Sequence, residues 1–258
     1  MKFNDIVIIL KNIPHMGIEN GKVLYDFIRV KKFNHILELG FAHGTSTCYM
    51  AAALKENGFG DITTIDRHSA KERKPNIFDL TKILNFKDII TPIFAERSYN
   101  WELMKIVEKN SIQGICTPIF DFCFIDGAHT WEVDGLAFFL VEKLLKPGAW
   151  ILFDDIEWTF EKSPSLKDSE MVKKMPEEQR KTPQVKKIFS LLVSQHPNFE
   201  NFKISKGWGW AQKKTGHETE IAPSKIIEKI SANQIIKVDI VKYLKKFQDR
   251  VIRKIRGK

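Results

Sequence analysis

The chain has 258 residues, of which 43% are hydrophobic and 28% charged, with a formal net charge of +9. This composition suits a globular protein with one main core, and its longest apolar runs fall far short of the roughly 20 residues of a membrane span. Cys48, Cys116 and Cys123 lack paired spacing, which argues against a disulfide framework or a zinc site. The N-terminal apolar run is too short for a secretory signal, so we expect a cytoplasmic protein.

Short β-rich runs alternate with helical patterns along the chain, which is typical of a doubly wound, mostly parallel sheet. The predicted strands lie at 35–40, 61–66, 89–95, 121–126 and 149–155. The predicted helices lie near 45–57, 98–109, 131–145 and 183–195, whereas 156–182 lacks periodicity and is predicted to be a loop or lid. Two last strands within 201–214, divided at Gly207, predict an antiparallel edge hairpin. The fold class is therefore α/β with a seven-stranded sheet.

The first predicted strand runs into the turn "ELGFAHGTST", which places Glu38, Gly40 and Gly44 just before a helix. Glycine lets the backbone approach a ligand closely, and a helix N-terminus offers free N–H groups. The second strand ends at Asp66, about 20 residues further on, where a carboxylate can accept both hydroxyls of an adenosine ribose. Because the third glycine of the dinucleotide spacing is missing, the pattern favours S-adenosylmethionine over NAD. The alternative is a glycine turn without a ligand.

These segments resemble the class I S-adenosylmethionine-dependent methyltransferases over roughly residues 33–214. "ELGFAHGTST" is similar to their first motif, "TTIDRH" to their second, and "DFCFIDGAHTWEVDGLAFFLVEKLLKPGAWILFDDIEW" to their fourth and fifth strand region. The last stretch looks closest to metal-dependent small-molecule and sugar O-methyltransferases, including those of antibiotic pathways. The resemblance implies a Rossmann-like methyltransferase fold and a divalent cation, expected to be magnesium, held here by Asp126, Asp154 and Asp155. The cofactor contacts that we expect are Glu38, Gly40, Gly44, Asp66, Ser98 and Asp126.

Chemistry supports a cation at the two acidic strand ends. The C-terminal ends of neighbouring parallel strands open into one crevice, so Asp126, Asp154 and Asp155 would converge there. Such carboxylates repel one another unless a hard cation such as Mg²⁺ joins them. His129 would face the same crevice, where an imidazole can act as general base at neutral pH. The alternatives are turn and capping roles for the aspartates, and a capping or packing role for His129.

We therefore expect an O-methyltransferase that acts on a hydroxyl of a small molecule or sugar. One alternative is a non-methylating metalloenzyme of the hydroxylase type on the same fold, and another is a catalytically silent binding protein. His15 and Met16 are further candidates for the acceptor pocket, although His15 also suits a surface turn. Trp208 and Trp210 share one strand face and are predicted to be core residues rather than a sugar platform.

The positive charge lies almost wholly in the C-terminal tail. Residues 223–258 carry eleven Lys or Arg and three acidic residues, or +8 of the net +9, which argues against a nucleic-acid partner for the main domain. The expected organisation is a cap segment at 1–32, a methyltransferase domain at 33–214 and a basic amphipathic tail at 215–258. The tail is predicted to contact the inner membrane face or a second copy of the chain. Its apolar stripe consists of Ile240, Leu244, Phe247, Val251 and Ile255.

Overall fold

The structure is a computed structural model of the single chain, and it describes residues 2–216. Within this range the helices are α1 (Phe3–Leu10), α2 (Ile18–Lys31), α3 (Thr45–Asn57), α4 (Ile77–Leu84), α5 (Tyr99–Lys109), α6 (Trp131–Leu144), α7 (Glu170–Lys174), α8 (Glu177–Lys181) and α9 (Gln184–Ile188), the last followed by a π-helical turn at Phe189–Val193. The strands are β1 (His35–Leu39), β2 (Asp61–Arg67), β3 (Ile90–Ala95), β4 (Ser111–Ile112), β5 (Ile115–Cys116), β6 (Phe120–Ile125), β7 (Leu145–Phe153), β8 (Phe199–Ser205) and β9 (Trp208–Lys213).

The main sheet has seven strands in the order β3-β2-β1-β6-β7-β9-β8, and β4 and β5 form a separate small hairpin. β3, β2, β1, β6 and β7 are mutually parallel, whereas β9 is antiparallel to both β7 and β8. The predicted α/β fold with an antiparallel edge hairpin is therefore confirmed. In register, Leu39 pairs with Ile125 and Ile125 with Phe153, so β1, β6 and β7 end side by side.

Both faces of the sheet are buried, which explains why β6, "FDFCFI", is apolar at every position except Asp121. In β6, Phe122 and Phe124 belong to one core layer, while Cys123 and Ile125 belong to the other. The first layer packs against α1, α2 and α3, and the second against α5, α6 and α9. The first ten residues of α3, "TSTCYMAAAL", are all buried. Their mostly small side chains let this helix lie close to the sheet, directly after the glycine turn.

Several helices were not predicted from the sequence. Residues 1–32 were expected only as a cap segment, and they form α1 and α2, which lie against α3. The helix α4 was not predicted, and the expected loop at 156–182 contains α7 and α8. Each of these two helices has five residues, which is too short to show helical periodicity. Trp208 is buried as predicted, with 2% exposure, whereas Trp210 is only partly buried.

The predicted tail lies outside the described residues from position 217 onward, so its amphipathic stripe and its partners stay predictions, as do the domain boundaries. Across residues 2–216, no helix combines the length and apolar character needed to cross a membrane.

Candidate active site

The turn after β1 comes very close to the turn after β6. Gly40 has φ +87°, and a Cβ built on it would lie 2.0 Å from the backbone oxygen of Asp126. Gly44 has φ +95°, and its Cβ would lie 3.0 Å from Ile77. Both residues therefore need glycine, for backbone conformation and for space. The turn formed by residues 40–44 is held directly against the backbone of Asp126.

Glu38 lies beneath this turn and is fully buried. Its carboxylate accepts hydrogen bonds from the hydroxyls of Ser46 (2.5 Å), Thr47 (2.5 Å) and Thr64 (2.6 Å). Burial raises the pKa of Glu38 to about 7, although the three hydroxyl hydrogen bonds act in the opposite direction. Glu38 was expected among the cofactor contacts, and the structure places it where it ties the start of α3 to β2.

Replacing Glu38 with glutamine is expected to flatten the pH dependence of stability. The carboxyl has a pKa of about 7 when folded and 4.5 as its ordinary value, so between these pH values the unfolded state loses the proton first. Glu38 therefore destabilises the fold by up to roughly 3 kcal/mol as pH rises from 4.5 through 7. Urea unfolding at pH 5 and pH 8 measures this loss, with the exposed Glu72→Gln as control. Identical pH dependence in wild type and Glu38→Gln would contradict the raised pKa.

Asp66, at the end of β2, lies next to the glycine turn. Its Oδ2 accepts the backbone N–H groups of Phe41 (3.0 Å) and Ala42 (2.7 Å), and its Oδ1 accepts that of Arg67 (2.6 Å). Ser98 follows β3 and caps α5, where its hydroxyl accepts the N–H of Asn100 at 3.3 Å. The expected cofactor residues thus share the carboxyl edge of the sheet.

Three side chains form a cluster at the ends of β6 and β7. His129 Nε2 lies 3.7 Å from Asp126 Oδ1 and 3.8 Å from Asp155 Oδ2. One potential ligand atom from each of these residues lies within 4.8 Å of the others. The His129 ring packs on Trp158, with 4.9 Å between ring centroids. The cluster could hold a metal ion, and His129 belongs to it.

Asp154, which was expected as a third carboxylate ligand, is already engaged in hydrogen bonds. Its Oδ1 accepts the indole N–H of Trp208 at 2.6 Å and the backbone N–H of Asp155 at 2.7 Å. Both hydrogen bonds engage Oδ1, and the negative charge of Asp154 still raises the pKa of Asp126. The indole thus fixes the orientation of Asp154 beside the cluster.

The electrostatics of the cluster suit a divalent cation. Burial raises the pKa of Asp126 well above its ordinary value, and the negative charges of Asp154 and Asp155 raise it further. Burial and the charge of Asp155 raise the pKa of Asp154 to about 6. Burial lowers the pKa of His129, with Asp155 opposing the shift. Carboxylates that repel one another in this way are relieved by a cation with oxygen ligands.

A buried pair that the sequence did not reveal supports the turn carrying His129. The Tyr99 hydroxyl donates to Asp134, and it accepts the backbone N–H of Ala128 at 3.2 Å. A Cβ on Gly127 would lie 2.5 Å from the Tyr99 ring, so the ring fits directly against the turn. Burial raises the pKa of Asp134 to about 7. His129 itself has φ +56°, a strained value that these contacts help to hold.

The two N-terminal candidates, His15 and Met16, differ in exposure. His15 is exposed and has φ +80°. Its ring stacks on His43 with 5.5 Å between ring centroids, and its Nε2 lies 3.1 Å from Arg73 Nη1. Met16 is 6% exposed and belongs to the core layer of α1–α3. Of the two, only His15 is accessible to a ligand.

This arrangement of sheet, glycine turn and acidic strand ends is the fold of the class I S-adenosylmethionine-dependent methyltransferases. Residues 37–156, slightly under half of the chain, match the family model described as "Methyltransferase domain". Residues 37–156 therefore form a methyltransferase domain, in agreement with the sequence resemblance. No curated protein sequence matches the chain.

Solved structures show the same fold at low sequence identity. The O-methyltransferase from Bacillus cereus in complex with SAH has a TM-score of 0.55 and 21% identity, covering 82% of this chain and 90% of that chain. The O-methyltransferase TomG from Streptomyces achromogenes, in complex with SAM, has a TM-score of 0.52 and 19% identity, covering 78% of this chain and 82% of that chain. The SAH-bound methyltransferase PaMTH1 from Podospora anserina has a TM-score of 0.55 and 16% identity, covering 78% of this chain and 80% of that chain.

Proposed function

We propose that the protein transfers the methyl group of S-adenosylmethionine to a hydroxyl of a small molecule or sugar, with help from a divalent cation. The observation that carries this proposal is the cluster of Asp126, His129 and Asp155, held against the glycine turn by the close approach of Gly40. A methyl donor and an activated hydroxyl would thus meet at one edge of the sheet. The O-methyltransferase names of the Bacillus and Streptomyces structures agree with this reaction.

The cofactor would lie along the turn at residues 40–44. Asp66 is the proposed ribose acceptor, because a carboxylate has about four lone-pair sites and the three backbone N–H groups leave capacity for a hydroxyl. Ser98 lies at the end of β3, at the same edge, and is the proposed neighbour of the adenine. Glu38 is buried beneath the turn, so it would support the cofactor site by holding the turn in place.

Asp126, Asp154 and Asp155 are the proposed cation ligands, and their mutual repulsion makes them a fitting donor set. A divalent cation, when bound there, would lower the pKa of an acceptor hydroxyl. His129 would take the hydroxyl proton on Nε2, the nitrogen that faces Asp126 and Asp155. The acceptor oxygen then forms a bond to the methyl carbon while the carbon–sulfur bond breaks and its electron pair returns to sulfur. Positioning of the two substrates supplies much of the acceleration.

A second role for His129 follows from the same distances. Because its Nε2 lies as close to Asp126 as to Asp155, His129 could be a cation ligand itself. Asp154 would then orient the site through its hydrogen bonds to Trp208 and the Asp155 N–H. The two roles predict different effects on cation affinity when the imidazole is removed.

Metal removal tests the proposed reaction. With a panel of sugars, phenols and other hydroxyl acceptors, excess EDTA is expected to abolish methyl transfer, and added Mg²⁺ is expected to restore it. The measurement is transfer of labelled methyl groups from S-adenosylmethionine to product, with cofactor affinity followed in parallel by calorimetry. Cofactor binding should survive EDTA, which serves as the control for folding.

Full methyl transfer in excess EDTA would refute the role of the cation and leave the methyltransferase assignment intact. A hydroxylated product formed without consumption of S-adenosylmethionine would instead favour the metalloenzyme alternative. Cofactor binding without conversion of any acceptor would favour the silent binding protein.

A further inference from the structure

A groove of about 400 Å³ opens between α2 and the strands β7, β8 and β9, on the sheet face that carries α1–α3. A volume of this size falls within the range of small-molecule sites. No residue of the acidic cluster lines it. The lining residues are Asn20, Val23, Phe27, Trp150, Asn201, Lys203, Ser205, Lys206, Trp208 and Trp210.

One end of the groove reaches the acidic strand ends. Trp208 lines the groove and donates its indole N–H to Asp154 at 2.6 Å. Gly209 is the register partner of Phe153, the last residue of β7, so the neighbouring pair Ser205 and Trp208 lies at the carboxyl edge of the sheet. The groove and Asp154 therefore lie on either side of the Trp208 indole, so a ligand at this end of the groove is close to the crevice beside Asp154 and Asp155.

Aromatic rings form the walls of the groove. The Phe27 ring lies 4.7 Å from Trp210 and 5.6 Å from Trp150 between centroids, in edge-to-face arrangements. These three rings are only partly buried, although Trp210 was expected to be a core residue. Lys31 Nζ lies 5.3 Å from the Trp150 ring centroid. The walls thus offer apolar ring faces at a site that remains open to solvent.

The charged residues that line the groove are both lysines, and its other polar residues are uncharged. Lys203 and Lys206 are exposed, and among the lining residues no carboxylate opposes them. Lys203 is the register partner of Trp210, which places a cation beside an aromatic wall. Asn20, Asn201 and Ser205 add amide and hydroxyl groups. A ligand that fits has an apolar ring face, several hydrogen-bonding groups and a negative charge.

We propose that this groove binds an anionic sugar, which presents a hydroxyl to the crevice as the methyl acceptor. The C–H face of the sugar ring packs on Trp150 and Trp210, and its phosphate or carboxylate pairs with Lys203 and Lys206. This inference rests on the proposed methyl transfer, because it names the class of acceptor for that site. The binding step itself requires neither cofactor nor cation.

Nitrogen-15 NMR of the indole N–H groups tests the groove directly. Titration with glucose 1-phosphate or glucuronic acid is expected to shift the signals of Trp150 and Trp210, while the exposed Trp101 and Trp131 keep theirs. Unmodified glucose should bind more weakly, and so should the planar acid 4-hydroxybenzoate. The double variant Lys203→Gln and Lys206→Gln should weaken binding about tenfold, the effect of two exposed ion pairs. The matched control, Lys82→Gln with Lys87→Gln, makes the same charge change on the α4 side and should bind as wild type.

Absence of a shift at Trp150 and Trp210 with both anionic sugars would overturn the proposal. So would equal binding of glucose, tighter binding of 4-hydroxybenzoate, or wild-type affinity in the Lys203 and Lys206 variant. Because the titration contains no cofactor or cation, these failures leave the proposed methyl transfer untouched. Loss of methyl transfer on every acceptor, with the indole shifts intact, would instead refute the proposed function and the acceptor role of the bound sugar, and would leave sugar binding in the groove standing.

Discussion

Replacing His129 with alanine is expected to lower kcat for methyl transfer by about 10²- to 10⁴-fold, the usual contribution of a positioned general base. The imidazole lies 3.7 Å from Asp126 and 3.8 Å from Asp155, so its loss removes the proton acceptor nearest to the proposed cation ligands. Cofactor affinity should change little, because the glycine turn and Asp66 are untouched. Steady-state kinetics with an identified acceptor and calorimetry with S-adenosylmethionine measure the two effects.

The same variant separates the two roles of His129. If the imidazole is the base, the affinity for Mg²⁺ stays near that of wild type while kcat falls; if it is a ligand, cation affinity falls as well. His35→Ala is a suitable control, because His35 begins β1 at the opposite edge of the sheet. A His129→Ala enzyme with nearly full kcat would contradict both roles.

Replacing Gly40 with alanine is expected to destabilise the fold by more than about 3 kcal/mol, a loss typical of steric conflict with fixed backbone. The added Cβ would lie 2.0 Å from the Asp126 backbone oxygen, and the residue has φ +87°. Neither neighbour can move without disturbing the ends of β1 and β6, which are paired in the centre of the sheet. The midpoint and slope of urea unfolding measure the loss.

Two other glycines separate the conformational cost of the Gly40→Ala substitution from its steric cost. Gly114 also has a positive φ, +80°, but a Cβ there would meet nothing within 4 Å, so Gly114→Ala reports the conformational cost alone. Gly17 has neither feature, and Gly17→Ala should be nearly neutral. If Gly40→Ala were as stable as Gly114→Ala, the close contact between the two turns would be wrong.

The sheet was predictable from sequence because its central strands are buried on both faces. In "HILELG" and "DFCFID" neighbouring apolar residues face both sides of the sheet, and each segment ends in the turn residues that mark the carboxyl edge. Because parallel strands end together, the strand ends in the sequence also predicted that four residues lie at one edge of the sheet: Gly40, Asp66, Asp126 and Asp155. Local patterns therefore predicted the fold and the neighbourhood of the site.

Contacts between distant segments were not predictable in the same way. Tyr99 supports the His129 turn through Asp134, which is 35 residues away in the chain, and Trp208 orients Asp154 across 54 residues. Neither pair leaves a spacing signal, because each depends on how α5 or the edge hairpin lies against the sheet. The groove was missed for the same reason: its walls come from α2, β7 and the hairpin.

The position of β8 has a consequence for how the protein behaves at high concentration. Within residues 2–216 it is one of the two edge strands of the sheet, and it exposes Phe202 at 41% and Ile204 at 50%. An open strand edge with apolar side chains is a template for pairing with the edge of another molecule, and lysines on such a strand oppose that pairing. Lys203 alternates with these two residues along β8, and Lys206 follows the strand. Their charges therefore protect the sheet edge from aggregation, whatever they bind in the groove.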